Sequence, residues 1–478
     1  ISTDNVLPGD PDLDVLSGYP TCDAAILEFE FIPDADTIFF RYVFASDEYN
    51  EWVNSQFNDV FGFFVNGVNC ALVEGTPISI NTINYGNPYG TEPNSHPGLY
   101  KNNDLEDGGG SIDTEMDGLT EILTCSSAVI PNQPNHLKLA IADASDHIYD
   151  AAVFIKAASI TTQRRPVILL PGMTASINWS CFLYEFGCSV ESLWGWAPTA
   201  EGYYQPLITR LNEDGYTEEN KYLSLFFYDW RKPLESNIAT LKQRIDSVKA
   251  DTGQAEVDLV GHSMGGLLSR AYIQSDSYAG DVAHLVTLGS PHTGAAKSYP
   301  YWQAAHFYEM GTVEQIVFAA LMIHYMQRDI NPIPVFVLRN NIASVQDILP
   351  TYDYLYEDGN DLLIPESSLT HRNTYLAGLN ANMNTLFDRT SVATFVGQEA
   401  TTTERFYVED RNWWEWPNWD DGRPNWDRED EFKTTLGDGT VLANSAALPS
   451  PAYVLEFPNV SHPGLPGNNA VINAIFTF

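Results

Sequence analysis

Two textures of hydrophobic and polar positions divide the chain near residue 165. In the first part, apolar residues come in short alternating or aromatic runs: Ala25–Phe31, Thr37–Phe44, Val60–Val65, Ile78–Ile83, Leu137–Ala142 and Ala152–Ala157. Side chains alternate across a strand, so such runs predict half-buried β-strands. Clusters of Gly, Pro, Asn and Asp separate them, as turns require, and residues 1–160 are expected to form an all-β sandwich or jelly roll. The polar stretch Ser159–Arg165 is a joint, with residues 161–165 as the linker. From residue 166 to 478, unbroken apolar runs alternate with runs of helical spacing. Val167–Leu170, Leu223–Phe227, Val257–Val260, Val282–Leu288, Ala393–Gly397 and Tyr453–Phe457 read as strands buried on both faces, as in a parallel sheet. Leu234–Val248 is an amphipathic helix, and Ala470–Phe476 closes the chain with another helical run. Residues of about 296–390 carry helical patterns between core strands and predict a mainly helical cap.

One junction carries chemistry. The run Val257–Val260 ends in Gly261-His262-Ser263-Met264-Gly265, and helical spacing resumes at Leu267. A strand, a G-x-S-x-G turn and a helix together make a nucleophile elbow of the α/β-hydrolase kind. The serine sits on a sharp turn, so a Cβ at Gly261 or Gly265 is expected to clash. The free N–H groups at the start of the helix favour developing negative charge. In this architecture the oxyanion is held by one N–H after the nucleophile and one from the loop after an earlier strand, which nominates the main chains of Met264 and Met173. Residues 174–200 are rich in aromatics and read either as a lid with an acyl-binding wall or as an ordinary packed loop. Asp229 beside Arg231 is expected to form a structural ion pair. The Trp-rich acidic stretch of about 410–432 reads as a flap that meets apolar substrate or, preferably, as packing against the cap.

A serine hydroxyl needs a histidine to take its proton and a carboxylate to hold that histidine. The chain order in this architecture is Ser, Asp or Glu, then His. His284 belongs with a strand, His292 comes too early, and His306, His324 and His371 fall in the cap. His462 follows the last strand run, where the base belongs. Asp438, between Gly437 and Gly439, precedes that strand in a tight turn and is preferred over Asp361 and Asp388. The expected triad is Ser263, Asp438 and His462.

Charge narrows the partners. The 478 residues hold 63 Asp and Glu against 24 Lys and Arg, a net charge of −39. That argues against nucleic acid and against anionic membranes. No run is long and apolar enough for a membrane span. Carboxylates gather at predicted strand ends, where loop oxygens suit calcium. Five cysteines without a C-x-x-C pair argue against zinc; Cys181 and Cys188 can close a small loop. The chain opens at Ile1 without a methionine or signal peptide, and it is expected to be a processed or truncated form of a secreted protein.

Two resemblances add to this reading. Gly9-Asp10-Pro11-Asp12-Leu13-Asp14, Phe44-Ala45-Ser46-Asp47-Glu48-Tyr49, Gln56 to Phe64, Pro77 to Asn81 and Ile141 to Asp146 together resemble the choice-of-anchor L domain of secreted bacterial proteins. The resemblance implies an extracellular β domain, with Ile1-Ser2-Thr3 as the tail of an incomplete first strand. Glu48, Asp59, Asp143 and Asp150 fall in or beside the matching motifs and are the candidate ligands of a structural Ca²⁺. Leu170-Pro171-Gly172-Met173, Tyr228-Asp229-Trp230-Arg231, Gly261 to Gly266, Gly289-Ser290-Pro291, Leu349 to Tyr352, Gly437 to Val441 and Ser461-His462 resemble the lecithin:cholesterol acyltransferase-like lipases. That resemblance implies ester substrates with acyl chains, Ser–Asp–His catalysis and no cofactor for the chemistry. The Cys181–Cys188 loop is shorter than a long lid needs. Hydrolysis, phospholipase action and transfer to a second alcohol are not separated by the sequence. The reading from another class is a surface adhesion protein with a vestigial hydrolase, the β domain holding a cell-surface or polymer ligand.

Overall fold

The computed structural model describes residues 6–33, 37–130, 133–156, 159–161, 165–310, 312–330, 332–398 and 401–478. Ile1–Thr3, Ala157 and the joint residues 162–164 therefore lie outside the described residues. The chain divides into two compact units, Ile1–Arg164 and Arg165–Phe478.

The first unit is built from two antiparallel sheets. Thr21–Phe31, Asn135–Ala144, Val60–Val65, Thr76–Ser79 and Leu72–Val73 are neighbours in one, in that order. Ala151–Ile155, Thr37–Ser46, Gly118–Thr120 and Tyr100–Asn102 make the other, with Leu123–Ala128 also paired to Thr37–Ser46. Alternation is what fills the space between them. Ile38, Phe40, Tyr42 and Phe44 point inward from one sheet and meet Phe61, Phe63, Leu137 and Leu139 from the other. A Cys70–Cys125 disulfide crosses this core and Cys22 is a free thiol. The structure departs from the all-β expectation at Pro11–Ser17, which is helical. Asp10 accepts the N–H groups of Asp12 and Leu13 and Pro11 opens the helix, an N-terminal signature that the β-rich surroundings mask. Lys138 then ties down Asp10 and Asp12. The apolar run Ile78–Ile83 leaves its strand at Ser79 and finishes as a buried turn.

The second unit is organised on a six-stranded parallel sheet. Its strands are β1 (Val167–Leu170), β2 (Leu223–Leu225), β3 (Val257–His262), β4 (Val282–Leu288), β5 (Ser391–Gln398) and β6 (Tyr453–Pro458), in spatial order β2-β1-β3-β4-β5-β6. Helices α1 (Glu201–Glu213), α2 (Leu234–Thr252), α3 (Met264–Gln274) and α4 (Asn469–Thr477) belong to this layered core. Two apolar clusters result, one containing Ile168, Leu259, Leu267 and Leu285 and one containing Leu169, Val260, Val286, Phe395 and Val471. Neighbouring residues of one strand enter different clusters, which is why the strands read as continuous apolar runs rather than alternating ones.

Strand order fixes where a site can form. The chain leaves β1 toward β2 on one side and later returns to β3 on the other. The loops after β1 and β3 therefore diverge, and a crevice opens between them at the carboxyl ends of the strands. Between β4 and β5 lie the helices Ser298–Ala304, Thr312–Arg328, Pro334–Asn341, Thr374–Ala381 and Met383–Arg389. The cap is not purely helical, because Leu355–Glu357 and Leu363–Ile364 pair into a small sheet with Phe406–Glu409 and Arg423–Pro424. No helix among the described residues is long and apolar enough to cross a membrane.

Candidate active site

Ser263 stands between the end of β3 and the start of α3, with φ 53° and ψ −122°. Such a backbone is strained for a residue with a side chain and persists only where the surroundings impose it. Here they do. A Cβ on Gly265 would lie 2.3 Å from the Leu170 carbonyl oxygen, and one on Gly261 would lie 2.5 Å from the backbone of Gly266. The turn thus packs directly against the end of β1. Its Cβ also approaches the loop after β1, since a Cβ on Gly172 would sit 3.0 Å from it.

The three residues expected to form the triad are brought together. His462 Nε2 lies 2.9 Å from Ser263 Oγ, and His462 Nδ1 lies 2.7 Å from Asp438 Oδ2. A carboxylate only accepts, so Nδ1 carries the proton and Nε2 is left to accept from the serine hydroxyl. The other Asp438 oxygen accepts the N–H groups of Thr440 and Val441, at 3.0 and 2.7 Å. The main chain joins in, with the His462 N–H donating to the Asp438 carbonyl at 2.8 Å. Asp438 is buried and both carboxylate oxygens are occupied. Gly289, at φ 58°, makes room for this pair, because a Cβ there would meet Asp438 Oδ2 at 2.9 Å and His462 Nδ1 at 3.1 Å.

Met264 follows Ser263 directly, and Met173 lies in the loop after β1. The Met264 N–H is the first of α3 and has no carbonyl ahead of it in the helix. Met173 lines the cavity above Ser263. That cavity measures about 490 Å³ and is mostly apolar, with Tyr301, Met310, Phe318 and Ile348 on its wall.

The other histidines after Ser263 stand apart from the triad, with His324 packed on Tyr325. His292 is buried beside Thr287, His284 pairs with Asp258, His371 pairs with Asp420, and His306 packs on Trp426. Asp361 pairs with Arg428 on the surface and Asp388 is exposed. Asp229 and Arg231 form a buried two-bond ion pair at 2.8 Å, with the guanidinium against Phe182 and 3.2 Å from Cys181 Sγ. Cys181 and Cys188 are joined in a disulfide, so this pair braces the aromatic segment of residues 174–200. That segment is part wall and part surface: Phe182 is in the core, while Tyr184 and Phe186 are exposed. The Trp-rich stretch is divided likewise. Trp419 packs on Tyr299, whereas Trp413, Trp414 and Trp416 face solvent.

The calcium candidates in the first unit sit at one end of the two sheets, but they do not form a chelate. Among the described residues no group of three or more His, Cys, Asp and Glu side chains is placed to hold a metal ion. Asp59 instead accepts the Ser46 hydroxyl at 2.8 Å and the Ala144 N–H at 3.3 Å. Asp150 sits at the same end, its carbonyl accepting the Asp47 N–H. Burial, reinforced by Asp59, pushes Glu48 up to about 9 and Asp143 up to about 8; burial also lifts Asp59 to about 7. Folded values above the unfolded ones mean that the folded unit holds extra protons between about pH 4 and pH 9. Its stability is therefore greatest in acid and falls as pH rises through that window. On the full chain, the melting midpoint of this unit is expected to drop by about 5 °C or more between pH 5 and pH 9. Glu48→Gln should flatten that slope, and an unchanged slope would refute the assignment to Glu48.

The Tyr204 hydroxyl accepts the Gly172 N–H at 3.0 Å and lies 2.7 Å from His262 Nδ1, contacts that sequence reasoning does not reach. Tyr204 on α1 has no motif around it. His262 stands inside the elbow motif, where its type alone was a signal.

Residues 1–161 match the choice-of-anchor L domain, and residues 189–372 match lecithin:cholesterol acyltransferase. The second match contains the elbow and ends before Asp438 and His462, which are placed by geometry alone. A lecithin-cholesterol acyltransferase-like 4 protein of Arabidopsis thaliana is 28% identical over 97 residues, spanning 20% of this chain and 18% of that protein. The matched stretch is thus under a fifth of that relative's length. Among solved structures, the mature Bacillus licheniformis lipase BlEst2 is 13% identical, covering 66% of this chain and 91% of its own, with a TM-score of 0.36. A gene product of Listeria innocua is 14% identical, covering 66% and 94%, with a TM-score of 0.30. The chain joins a domain of the choice-of-anchor L family to an α/β-hydrolase domain of the lecithin:cholesterol acyltransferase family.

Proposed function

We propose that the second unit is a serine carboxylic-ester hydrolase, a lipase or esterase, working through an acyl-enzyme on Ser263. The observation that carries this reading is the single histidine, His462, bonded to Ser263 on one side and Asp438 on the other. In this reading the Ser263 hydroxyl gives its proton to His462 Nε2 as Oγ attacks the ester carbonyl. Asp438 holds the imidazolium that forms. The main-chain N–H groups of Met173 and Met264 receive the oxyanion, each contributing about 3 kcal/mol. His462 then protonates the departing alcohol, and water repeats the sequence to release the acid. The apolar cavity wall supports an acyl chain as the part of the substrate bound beside the serine.

A series of p-nitrophenyl esters from acetyl to palmitoyl tests this, with labelling of Ser263 by a phosphonate as the second readout. Hydrolysis should rise as the acyl chain lengthens. No labelling and no turnover would return weight to a binding role for the chain. Added alcohol should leave the acid as the main product; an ester product would mark acyl transfer. We further propose that the protein works outside the cell, where the first unit binds a surface or polymer. Two disulfides, Cys70–Cys125 and Cys181–Cys188, support an oxidising compartment.

A further inference from the structure

Behind the serine a line of hydrogen bonds joins three segments that are far apart in the chain. The Gly172 N–H donates to the Tyr204 hydroxyl at 3.0 Å. That hydroxyl lies 2.7 Å from His262 Nδ1. His262 Nε2 lies 3.0 Å from the carbonyl oxygen of His462. A carbonyl only accepts, so Nε2 carries the hydrogen and Nδ1 offers a lone pair. Tyr204 then donates to Nδ1 while its oxygen accepts from Gly172. Every bond in the line has one direction, and it requires His262 to be neutral. Burial, and secondly the nearby His462, drives the His262 pKa down to about 3, so the neutral form persists across ordinary conditions. A neutral ring also suits its position 4.9 Å from the His462 ring, which becomes cationic during turnover in the reading above.

The three segments are the working parts of the site. Gly172 precedes Met173, His262 precedes Ser263, and the His462 carbonyl belongs to the general base itself. We propose that Tyr204 and His262 are positioning residues that hold the oxyanion loop, the nucleophile and the base in register. Neither touches the reacting atoms in this role. The proposal rests on the reading of Ser263 as the nucleophile. Its physical basis is the steep dependence of rate on geometry, in which a displacement of about 1 Å can cost about a hundredfold.

Packing alone would give a different outcome, and the two can be separated. Tyr204 is buried and its ring stacks on Trp196 at 4.7 Å, a contact that Tyr204→Phe keeps. The variant removes only the oxygen and leaves the Gly172 N–H and His262 Nδ1 without it. Activity per phosphonate-titrated site should fall between about tenfold and a hundredfold in kcat, with KM within about twofold. Affinity for a boronic acid, which forms a tetrahedral adduct on the serine, should fall by the same factor as kcat. His262→Gln keeps an N–H for the His462 carbonyl but offers Tyr204 no ring nitrogen. It should lower kcat similarly, and the double variant should lose no more than the worse single one. Additive losses, or wild-type kcat per titrated site in Tyr204→Phe, would overturn the relay and leave the triad standing. Substantial turnover in Ser263→Ala would overturn the reading beneath it.

Discussion

Ser263→Ala is expected to lose turnover on p-nitrophenyl esters by a factor on the order of 10⁶ while remaining folded. The loss follows from the chemistry, since no other hydroxyl stands on both His462 and the cavity in the described site. Retention of the fold follows from what the side chain does. The elbow is set by Gly265 against Leu170, by Gly261 against Gly266 and by the Ser263 N–H bonded to the Leu288 carbonyl, none of which involves Oγ. Alanine keeps the same Cβ, so the turn bears the same strain. One part-buried hydrogen bond is lost, worth about 1 kcal/mol. Thermal melting and ester turnover on the same sample decide the matter. A folded variant with most of its activity would place the nucleophile elsewhere; an unfolded one would show Oγ to be structural.

What the sequence disclosed and what it hid differ in range. The elbow was legible because a sharp strand-to-helix turn needs glycines at fixed offsets from Ser263, and that need is local. Asp438 and His462 were legible only through order along the chain and placement after predicted strands. The alternating aromatics of Thr37–Ser46 disclosed a half-buried strand because burial there follows a period of two. The helix Pro11–Ser17 is only 7 residues long, too short for a helical period to show, and its Asp10 cap is one of several alternating Asp residues. Glu48, Asp59 and Asp143 stand out only through the motifs they fall in, and nothing in the local sequence shows that the fold encloses all three. Tyr204 could not be found at all. Its role lies in bonds to Gly172 and His262, 32 and 58 residues away, and nothing in α1 marks it.

Asp438→Asn should cut kcat by about 10⁴ with little change in KM or stability. The substitution is nearly isosteric, and its backbone carbonyl still accepts the His462 N–H. The amide has one acceptor and one donor where the carboxylate had two acceptors. The N–H groups of Thr440 and Val441 already point at Oδ1, so the amide oxygen takes that place and the NH₂ group turns toward His462 Nδ1. Facing a donor, Nδ1 must offer its lone pair, and the proton moves to Nε2. The imidazole then presents N–H to Ser263 Oγ and cannot accept the proton that attack releases. The carboxylate that would steady the imidazolium is gone as well. Asp438→Glu offers a contrast, because it keeps the charge yet must fit an extra methylene in a space so close to Gly289 that a Cβ there would already meet Oδ2 at 2.9 Å. Loss of activity with a lowered melting point in Asp438→Glu, and with an unchanged one in Asp438→Asn, would separate crowding from tautomer. An Asp438→Asn variant with near wild-type kcat would show that another carboxylate orients His462.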